Sequence, residues 1–331
     1  MKPLSDTVVA NLKAGMQMPD LEGTRYRIVR HLARGGMGSV WLADDTVLKR
    51  RVALKVLDLI APTDGLPVRL LQEARILAGL EHPGIVPVHD AGTLADGRAF
   101  YCMKYVEGQT LAQHIAHKSL PEKLRLLERI AEPLDFAHAR GFIHRDLKPE
   151  NIMIGAFGEV LVMDWGLAKV GPTGRKPAEN GTAVALQPTH KASRITAQGS
   201  VLGTPGYISP EQARGNAEVD RRTDIFSLGA ILWFMLGGSA PGDPPVALGA
   251  GSPPLRAICE KAMAADPNAR YQSAREMTAD IVHYLNGEPV SAYPEGVLER
   301  MGRVLARHRT AVILVAVYLL MRLLFILLAR R

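Results

Sequence analysis

The chain has 331 residues, of which 47% are hydrophobic, and only two cysteines. This length suits a two-lobed enzyme or two modest domains. Cys102 and Cys259 lie far apart, each in an apolar stretch, which argues against a disulfide framework or a zinc site and favours a reducing compartment. Of the formal charge of +7, seven Arg and one Glu within residues 298–331 supply +6. The rest is nearly neutral, which argues against a nucleic-acid-binding surface.

The first part of the chain reads as a leader followed by a small β-rich lobe. Residues 1–24 are polar and poorly patterned, which predicts a flexible leader without a secretory signal. Residues 25–107 then predict a lobe of strands with one helix at 68–80, where apolar residues recur at helical spacing. The strands are predicted at 26–32, 39–43 and 52–57, with a glycine-rich turn between the first two.

The next part, residues 108–287, predicts a larger and mainly helical lobe. A strand is predicted at 160–163, and the segment 171–199 is a loop too long for a simple connection, which indicates a functional or disordered segment. The helices are predicted at 111–116, 121–140, 220–236, 254–265 and 273–285 from their apolar periodicity.

The C-terminal part combines basic and apolar residues. Residues 288–309 predict a basic juxtamembrane linker, and residues 310–329 predict a transmembrane helix, because Ala311 to Ala329 is apolar apart from Tyr318 and Arg322. The arginines before this stretch place the preceding domain on the cytoplasmic side. An amphipathic helix lying on an anionic membrane surface is the alternative interpretation.

The most informative motif is the run His-Arg-Asp-Leu-Lys-Pro-Glu-Asn at residues 144–151. Phosphoryl transfer depends on positioning and on neutralising the charge of the transferring group. Asp146 provides a base for an attacking hydroxyl, Lys148 a cation for the phosphoryl group, and Asn151 an amide oxygen for Mg²⁺. Taken alone, the run is also compatible with a solvated loop.

Five elements together resemble the eukaryotic-like serine/threonine protein kinases, especially the bacterial membrane-anchored ones, over about residues 26–287. They are the glycine turn, Lys55 in Val-Ala-Leu-Lys, Glu73 on the predicted helix, the run 144–151, and Asp164-Trp165-Gly166. The resemblance implies an α+β, bilobal protein-kinase-like fold with a small β-rich N-lobe containing one helix and a larger helical C-lobe. It also implies an active site between the lobes.

The resemblance assigns the nucleotide site. Lys55 and Glu73 would form the ion pair that holds the α- and β-phosphates of ATP, although Lys55 by itself also fits a strand-edge lysine. Asn151 and Asp164 would bind Mg²⁺ or Mn²⁺, with Trp165 in place of the usual Phe. The remaining ATP-binding candidates, whose apolar members are equally good core residues, are Ala33, Gly35, Gly36, Gly38, Val40, Ala53, Met103, Tyr105, Val106 and Met153. The family pattern has glycine at position 33, so Ala33 is a departure.

Structural and regulatory roles are implied for a further set: His144, Arg145, Thr196, Ser200, Thr204, Glu211, Asp224 and Arg270. Within an activation segment at 164–211, a phosphate on Thr196 or Ser200 would neutralise Arg145 and order the segment. Thr204 would lie near Asp146 and Lys148, and Glu211 would pair with Arg270. Asp224 would anchor the backbone of the catalytic loop and could also act as a helix cap, since both roles can hold at once.

The predicted function is transfer of the ATP γ-phosphate to Ser or Thr hydroxyls of protein substrates, regulated by autophosphorylation. The enzyme would be a single-pass cell-membrane protein with a cytoplasmic kinase domain. A second copy of the chain, in a homodimer, would be a further partner. The alternative is a pseudokinase that acts as a membrane-tethered binding module, which Ala33 and the short stretch 237–253 favour. A small-molecule phosphotransferase fits less well, because it has no use for a peptide-binding segment at 203–211.

Overall fold

The structure is a computed structural model that describes residues 18–35, 38–57, 71, 74–75, 77–165, 169–170, 206–215, 219–237, 252–296, 299–302 and 309–329. The strands come first in the chain, and the long helices follow them. This order places a β-sheet lobe before a helical lobe, as the sequence predicts.

The N-lobe is a five-stranded antiparallel sheet with the strand order β1-β2-β3-β5-β4. The strands are β1 Tyr26–Arg34, β2 Gly38–Asp45, β3 Arg50–Leu57, β4 Val88–Thr93 and β5 Ala99–Lys104. The sequence predicted the first three; it did not predict the hairpin of β4 and β5. Helical backbone at residues 71, 74–75 and 77–79 agrees with the predicted N-lobe helix.

Strand β3 separates two hydrophobic clusters, because successive side chains of a strand point to opposite faces. Val52, Leu54 and Val56 pack into a cluster on the outer face of the sheet. Ala53 and Leu57 belong to the main core, which continues into the helical lobe. Lys55 has the same parity as Ala53, so its ammonium group is directed to the cleft side of the sheet.

The segment 18–24, which the sequence assigns to the leader, contacts the sheet. Leu21 packs against the outer cluster, and the guanidinium of the buried Arg98 donates to the carbonyl of Met18 at 3.3 Å. The packed part of the N-lobe therefore includes residues before the predicted boundary at residue 25.

The C-lobe is built on helices that we number α1 to α6. They are α1 Leu111–His114, α2 Leu120–Ala139, α3 Pro210–Ala213, α4 Arg222–Gly237, α5 Pro253–Ala262 and α6 Ala274–Leu285. Helix α2 buries Leu124, Leu127, Ile130 and Leu134 along one face, at the spacing of an amphipathic helix. Helix α4 is buried on almost all sides, which makes it the centre of the lobe.

Short strands carry the catalytic loop. Strand β7 Phe142–Ile143 precedes the loop and β8 Ile152–Gly155 follows it, with a 3₁₀ turn at Pro149–Asn151 in between. Strand β8 lies between β6 Gly108–Thr110 and β9 Val160–Val162, and β7 pairs with β10 Lys169–Val170. This arrangement fixes both ends of the run 144–151 on paired strands.

The last helix, α7 Arg309–Ala329, has 21 residues. Counted over the side chains that the structure describes, no helix is both long enough and apolar enough to cross a membrane. The membrane span predicted at 310–329 stays a prediction.

Candidate active site

The catalytic loop brings the base, the cation and the amide of the motif together. The Lys148 Nζ lies 3.0 Å from the Asp146 Oδ2. The Asn151 Nδ2 donates to the Asp146 carbonyl oxygen at 2.8 Å and to its Oδ2 at 3.2 Å. The side chain of Asp146 stays about a quarter exposed (25%), so a hydroxyl can approach it. These contacts argue against the solvated-loop interpretation, since Asn151 is buried.

Asp224 on helix α4 anchors the backbone of this loop. Its carboxylate is fully buried and accepts the N–H of His144 at 2.8 Å and the N–H of Arg145 at 2.9 Å. Arg145 has φ +69°, a left-handed conformation that a non-glycine residue adopts only when its surroundings impose it. Asp224 also lies in the first turn of α4, where Asp220 accepts the N–H of Arg222.

The buried carboxylate of Asp224 has a third partner, the Nε2 of His138 at the end of α2, at 2.6 Å. Burial alone would raise the pKa of Asp224, but the hydrogen bond from His138 and the loop N–H groups hold it below its ordinary value. The anchor is therefore an ionised acceptor facing three donors.

Lys55 connects the two lobes through an ion pair with Asp164, which follows strand β9. The ammonium group of Lys55 also lies 5.6 Å from the centre of the Tyr101 ring. Burial pushes the pKa of Asp164 up, but the positive charge of Lys55 outweighs this effect and lowers it. Asp164 has φ +62°, and its side chain remains 48% exposed, so its carboxylate is ionised and accessible.

His144 and Trp165 form a packed pair behind the loop. The rings lie 4.7 Å apart between centroids, and both side chains are fully buried. The His144 Nδ1 accepts the N–H of Asp146 at 3.3 Å, and its Nε2 donates to the carbonyl of Met163 at 2.9 Å. The ring therefore ties the base to the residue that precedes Asp164, and Trp165 acts as the predicted apolar anchor.

The predicted adenine contacts come from both lobes. Ala53 and Met103 are partners across strands β3 and β5, and Val40 is the partner of Lys55 across β2 and β3. Tyr105 packs against the main core and Val106 is buried. Met153 lies in β8 of the C-lobe. The structure thus places Val40, Ala53 and Met103 on three adjacent strands, β2, β3 and β5, of which β3 carries Lys55.

The glycine turn approaches strand β3 closely. A Cβ on Gly38 would lie 2.2 Å from the carbonyl oxygen of Val56, so only glycine fits at this position. Gly35 donates its N–H to the Gly38 carbonyl at 2.8 Å, and Ala33 pairs with Val40 in the sheet. Gly36 and Glu73 lie outside the described residues.

The residues predicted to hold a metal ion fit Mg²⁺. Asp164 supplies an ionised carboxylate, and Asn151 uses its amide nitrogen in hydrogen bonds, which leaves the oxygen as the atom suited to a cation. Within the described ranges, no group of three His, Cys, Asp or Glu side chains forms a metal site of its own. Few protein ligands are typical of Mg²⁺, which binds one or two side chains together with phosphates.

The predicted pair of Glu211 and Arg270 is present and buried. The Arg270 Nη1 and Nη2 lie 2.7 Å and 2.8 Å from the two carboxylate oxygens of Glu211. Burial would raise the pKa of Glu211, but the guanidinium lowers it below its ordinary value. Thr196, Ser200 and Thr204 lie outside the described residues, so their predicted roles stay predictions.

The structure adds two functional contacts that the sequence did not indicate. His138 is the third partner of Asp224, and the Gln212 side chain donates to the Arg145 carbonyl at 2.8 Å. Gln212 thereby joins the segment after Gly206 to the catalytic loop. Neither residue stands out in the sequence, because a helical His or Gln becomes meaningful only through a partner far along the chain.

The fold and these contacts define a bilobal phosphotransferase, and the comparisons give the family. The family described as "Protein kinase domain" matches residues 26–247. The chain is 36% identical over 298 residues to the serine/threonine-protein kinase PknD of Chlamydia felis, covering 80% of this chain and 31% of that protein. It is 39% identical over 302 residues to PknB of Mycobacterium tuberculosis, covering 84% and 45%.

The solved kinase domain of Mycobacterium tuberculosis PknI is similar in structure, with a TM-score of 0.60 and 28% identity, covering 81% of this chain and 98% of that one. The chain belongs to the protein kinase family, and the resemblance to the bacterial serine/threonine kinases is confirmed. It spans 31% of the length of the curated relative PknD and 45% of the length of PknB.

Proposed function

We propose that this chain is an active serine/threonine protein kinase that transfers the γ-phosphate of ATP to protein hydroxyls. The observation that carries the proposal is the loop geometry: Asp146 contacts Lys148 and Asn151 while Asp224 fixes the loop backbone. Serine/threonine kinase is also the printed name of its relatives PknD and PknB.

In the proposed reaction, the oxygen of the substrate hydroxyl attacks the γ-phosphorus of ATP. The Asp146 carboxylate accepts the proton of that hydroxyl. The bond from that phosphorus to the β–γ bridging oxygen breaks, and ADP leaves. Lys148, 3.0 Å from Asp146, is placed to neutralise charge on the transferring group. Mg²⁺, when bound by Asn151 and Asp164, would neutralise the phosphates.

The pseudokinase alternative is not favoured. A binding module has no need of an ionised Asp164 paired with Lys55, or of a fully buried Asp224 holding the catalytic loop in a left-handed conformation. Ala33, the departure from the family pattern, lies in a paired strand without disturbing Gly38.

The test is incorporation of labelled γ-phosphate from ATP and Mg²⁺ or Mn²⁺ into a generic basic protein, with Asp146→Asn as the matched variant. Loss of the base is expected to lower the rate by about 10²–10⁴-fold while ATP binding is kept. Equal labelling by both proteins would refute the assignment of Asp146. A wild-type protein that is folded and binds ATP without transferring label would support the pseudokinase.

We also propose regulation by autophosphorylation of the activation segment at 164–211. The Arg145 guanidinium next to the base is the group that a phosphate on Thr196 or Ser200 would neutralise. Replacement of both residues by Ala is expected to lower activity toward the generic substrate. Unchanged activity of the double variant would contradict this regulation.

Finally, we propose that α7 attaches the kinase to the cell membrane as a single span, with the kinase domain on the cytoplasmic side. The support is the run of apolar residues at 310–329, preceded by four arginines. In addition, residues 313–321 are all exposed and, apart from the Tyr318 hydroxyl, apolar, so the described residues leave this part of α7 uncovered.

A further inference from the structure

The nine residues after the last C-lobe helix, 288–296, which we name the C-terminal strap, fold back onto the lobe. Gly287 has φ +68° and turns the chain after α6. The strap contains neither helix nor strand. Val290 is 5% exposed in the main core, and Ala292 and Tyr293 pack against it. The strap is therefore a docked segment that links the kinase lobes to the residues leading to α7.

A single buried carboxylate holds the strap. Asp280 of α6 is 2% exposed and accepts the N–H groups of Ser291 at 2.8 Å and Ala292 at 3.1 Å. Its Oδ2 also accepts the Ser291 hydroxyl at 2.7 Å and the Tyr271 hydroxyl at 2.7 Å. Burial would raise the pKa of Asp280, but the hydrogen bonds from Ser291 keep it below its ordinary value. We name this contact of Asp280 with the strap the Asp280 clasp. It consists of an ionised carboxylate that accepts hydrogen bonds from neutral donors.

The Ser291 hydroxyl lies between two opposite charges. On one side lies the Asp280 carboxylate at 2.7 Å, and on the other the Lys261 ammonium at 3.3 Å. Lys261 also lies 4.1 Å from the centre of the Tyr271 ring, which holds its charge at this place. Within the described residues, the basic side chain recorded within 4 Å of Asp280 is His283, at 3.9 Å.

We propose that Ser291 is a phosphorylation site and that its modification opens the Asp280 clasp. A phosphoserine carries about −1.5 to −2 charges at pH 7. It cannot donate a proton to Asp280, and at this distance it repels the buried carboxylate. Lys261 is placed to bind the phosphate instead. The strap then leaves Asp280, and the link between the kinase lobes and α7 loosens.

The inference rests on the proposed function, since a second copy of the chain supplies the reaction. The Ser291 Oγ attacks the γ-phosphorus of ATP, an Oγ–P bond forms, the bond to the β–γ bridging oxygen breaks, and ADP leaves. The hydroxyl proton goes to Asp146 of that copy. Ser291 suits this step because it is exposed and lies in a segment without helix or strand, between Pro289 and Pro294.

The experiment uses the full chain carrying Asp146→Asn as substrate, with a small amount of wild-type chain, ATP and Mg²⁺. Mass spectrometry locates the phosphate, and hydrogen exchange follows the amides of Ser291 and Ala292. We expect phosphate on Ser291 and exchange at these two amides at least about tenfold faster, because their acceptor is lost. A substrate chain that also carries Ser291→Ala should keep slow exchange. Thr278, a half-buried residue of α6 whose hydroxyl donates to the carbonyls of Ala274 and Arg275, is the site control and should stay unmodified.

The outcomes separate the two proposals. If a generic basic protein is labelled but Ser291 carries no phosphate, the proposal that Ser291 is a phosphorylation site is wrong and the proposed kinase function is supported. Phosphate on Ser291 with unchanged exchange would overturn the clasp. Absence of all labelling would count against the kinase function, and the clasp would then be decided by Ser291→Glu, which adds negative charge without any kinase. Unchanged amide exchange in that variant would overturn it.

Discussion

At the scale of residues, burial decides how much an ion pair contributes. Arg270 and Glu211 form a buried two-point pair, whereas Arg256 and Glu260 form a pair of similar length, 2.8 Å, with side chains 65% and 59% exposed. Water screens the second pair but not the first. The two pairs therefore provide a matched comparison within one lobe.

Arg270→Ala is expected to lower the free energy of unfolding by about 3–5 kcal/mol, because the Glu211 carboxylate is left buried without its partner. Arg256→Ala should cost no more than about 0.5 kcal/mol. Urea unfolding of residues 1–297 measures both values. Similar losses in the two variants would show that the Arg270 pair contributes no more than a surface pair.

Asp224→Asn tests the anchor of the catalytic loop. An amide presents an N–H where the carboxylate now accepts the N–H of His144 or Arg145, so one contact becomes repulsive. We expect kcat to fall by about 10²-fold through misplacement of Asp146. The KM for ATP should change little, since the predicted adenine contacts on β2, β3, β5 and β8 are not among the recorded partners of Asp224. Steady-state kinetics well below the unfolding temperature provide the measurement.

The control for this variant is Asp280→Asn, which alters another buried carboxylate with several donors but touches the strap and not the catalytic loop. Its kcat should stay within about twofold of the wild type, while the molecule loses about 1–3 kcal/mol of stability. If both variants lost activity equally, general destabilisation would explain the effect of Asp224→Asn.

At the scale of elements, the glycine turn and the sheet constrain each other. Strands β2 and β3 pair from Gly38 opposite Leu57 to Asp45 opposite Arg50 without a shift in register. The start of this ladder requires a residue without a side chain, because the Val56 carbonyl fills the space of a Cβ. The register that presents Lys55 to the cleft therefore depends on Gly38.

Gly38→Ala is expected to destabilise the N-lobe by about 1–3 kcal/mol and to raise the KM for ATP, since the β2–β3 ladder must shift. Gly79→Ala serves as the control, because Gly79 is helical and its Cβ would meet nothing within 4 Å. That variant should keep its stability or gain up to about 1 kcal/mol. Unfolding curves and ATP titrations distinguish the two, and an unchanged KM in Gly38→Ala would contradict the close-approach argument.

At the scale of the whole molecule, the proposed membrane attachment and the C-terminal strap concern the same end of the chain. The exposed apolar helix α7 follows a strap that Asp280 docks on the C-lobe. A docked strap would fix where the active site lies relative to the bilayer. A released strap would let the active site move over a wider range of distances from the bilayer. The attachment and the clasp therefore act on the same link.

We expect the full chain to sediment with lipid vesicles and to stay bound at about 1 M salt, where electrostatic attraction is screened. Residues 1–297 alone should remain in solution. Release of the full chain by salt would favour a helix lying on the membrane surface. Absence of binding under all conditions would remove the membrane proposal.

The sequence by itself determined the kinase family and the two lobes, and it predicted the main site residues. Asp146, Lys148 and Asn151 lie within one short run, so the sequence alone brings them near one another, although Asp224 fixes the backbone of their loop. The helices α2, α4, α5 and α6 were predicted for a similar reason, because their apolar periodicity is a local signal. Strands β4 and β5 gave no such clear alternation and were not predicted.

Only the tertiary structure decided which distant residues hold the site in place. His138 and Asp224 are 86 residues apart, Gln212 and the Arg145 carbonyl are 67 apart, and Lys55 and Asp164 are 109 apart. The Asp280 clasp is likewise absent from any motif, although it spans only 11 residues. An Asp in a helix is usually a surface residue. It becomes an anchor only when its carboxylate is buried next to several hydrogen-bond donors, and this depends on how the whole chain packs.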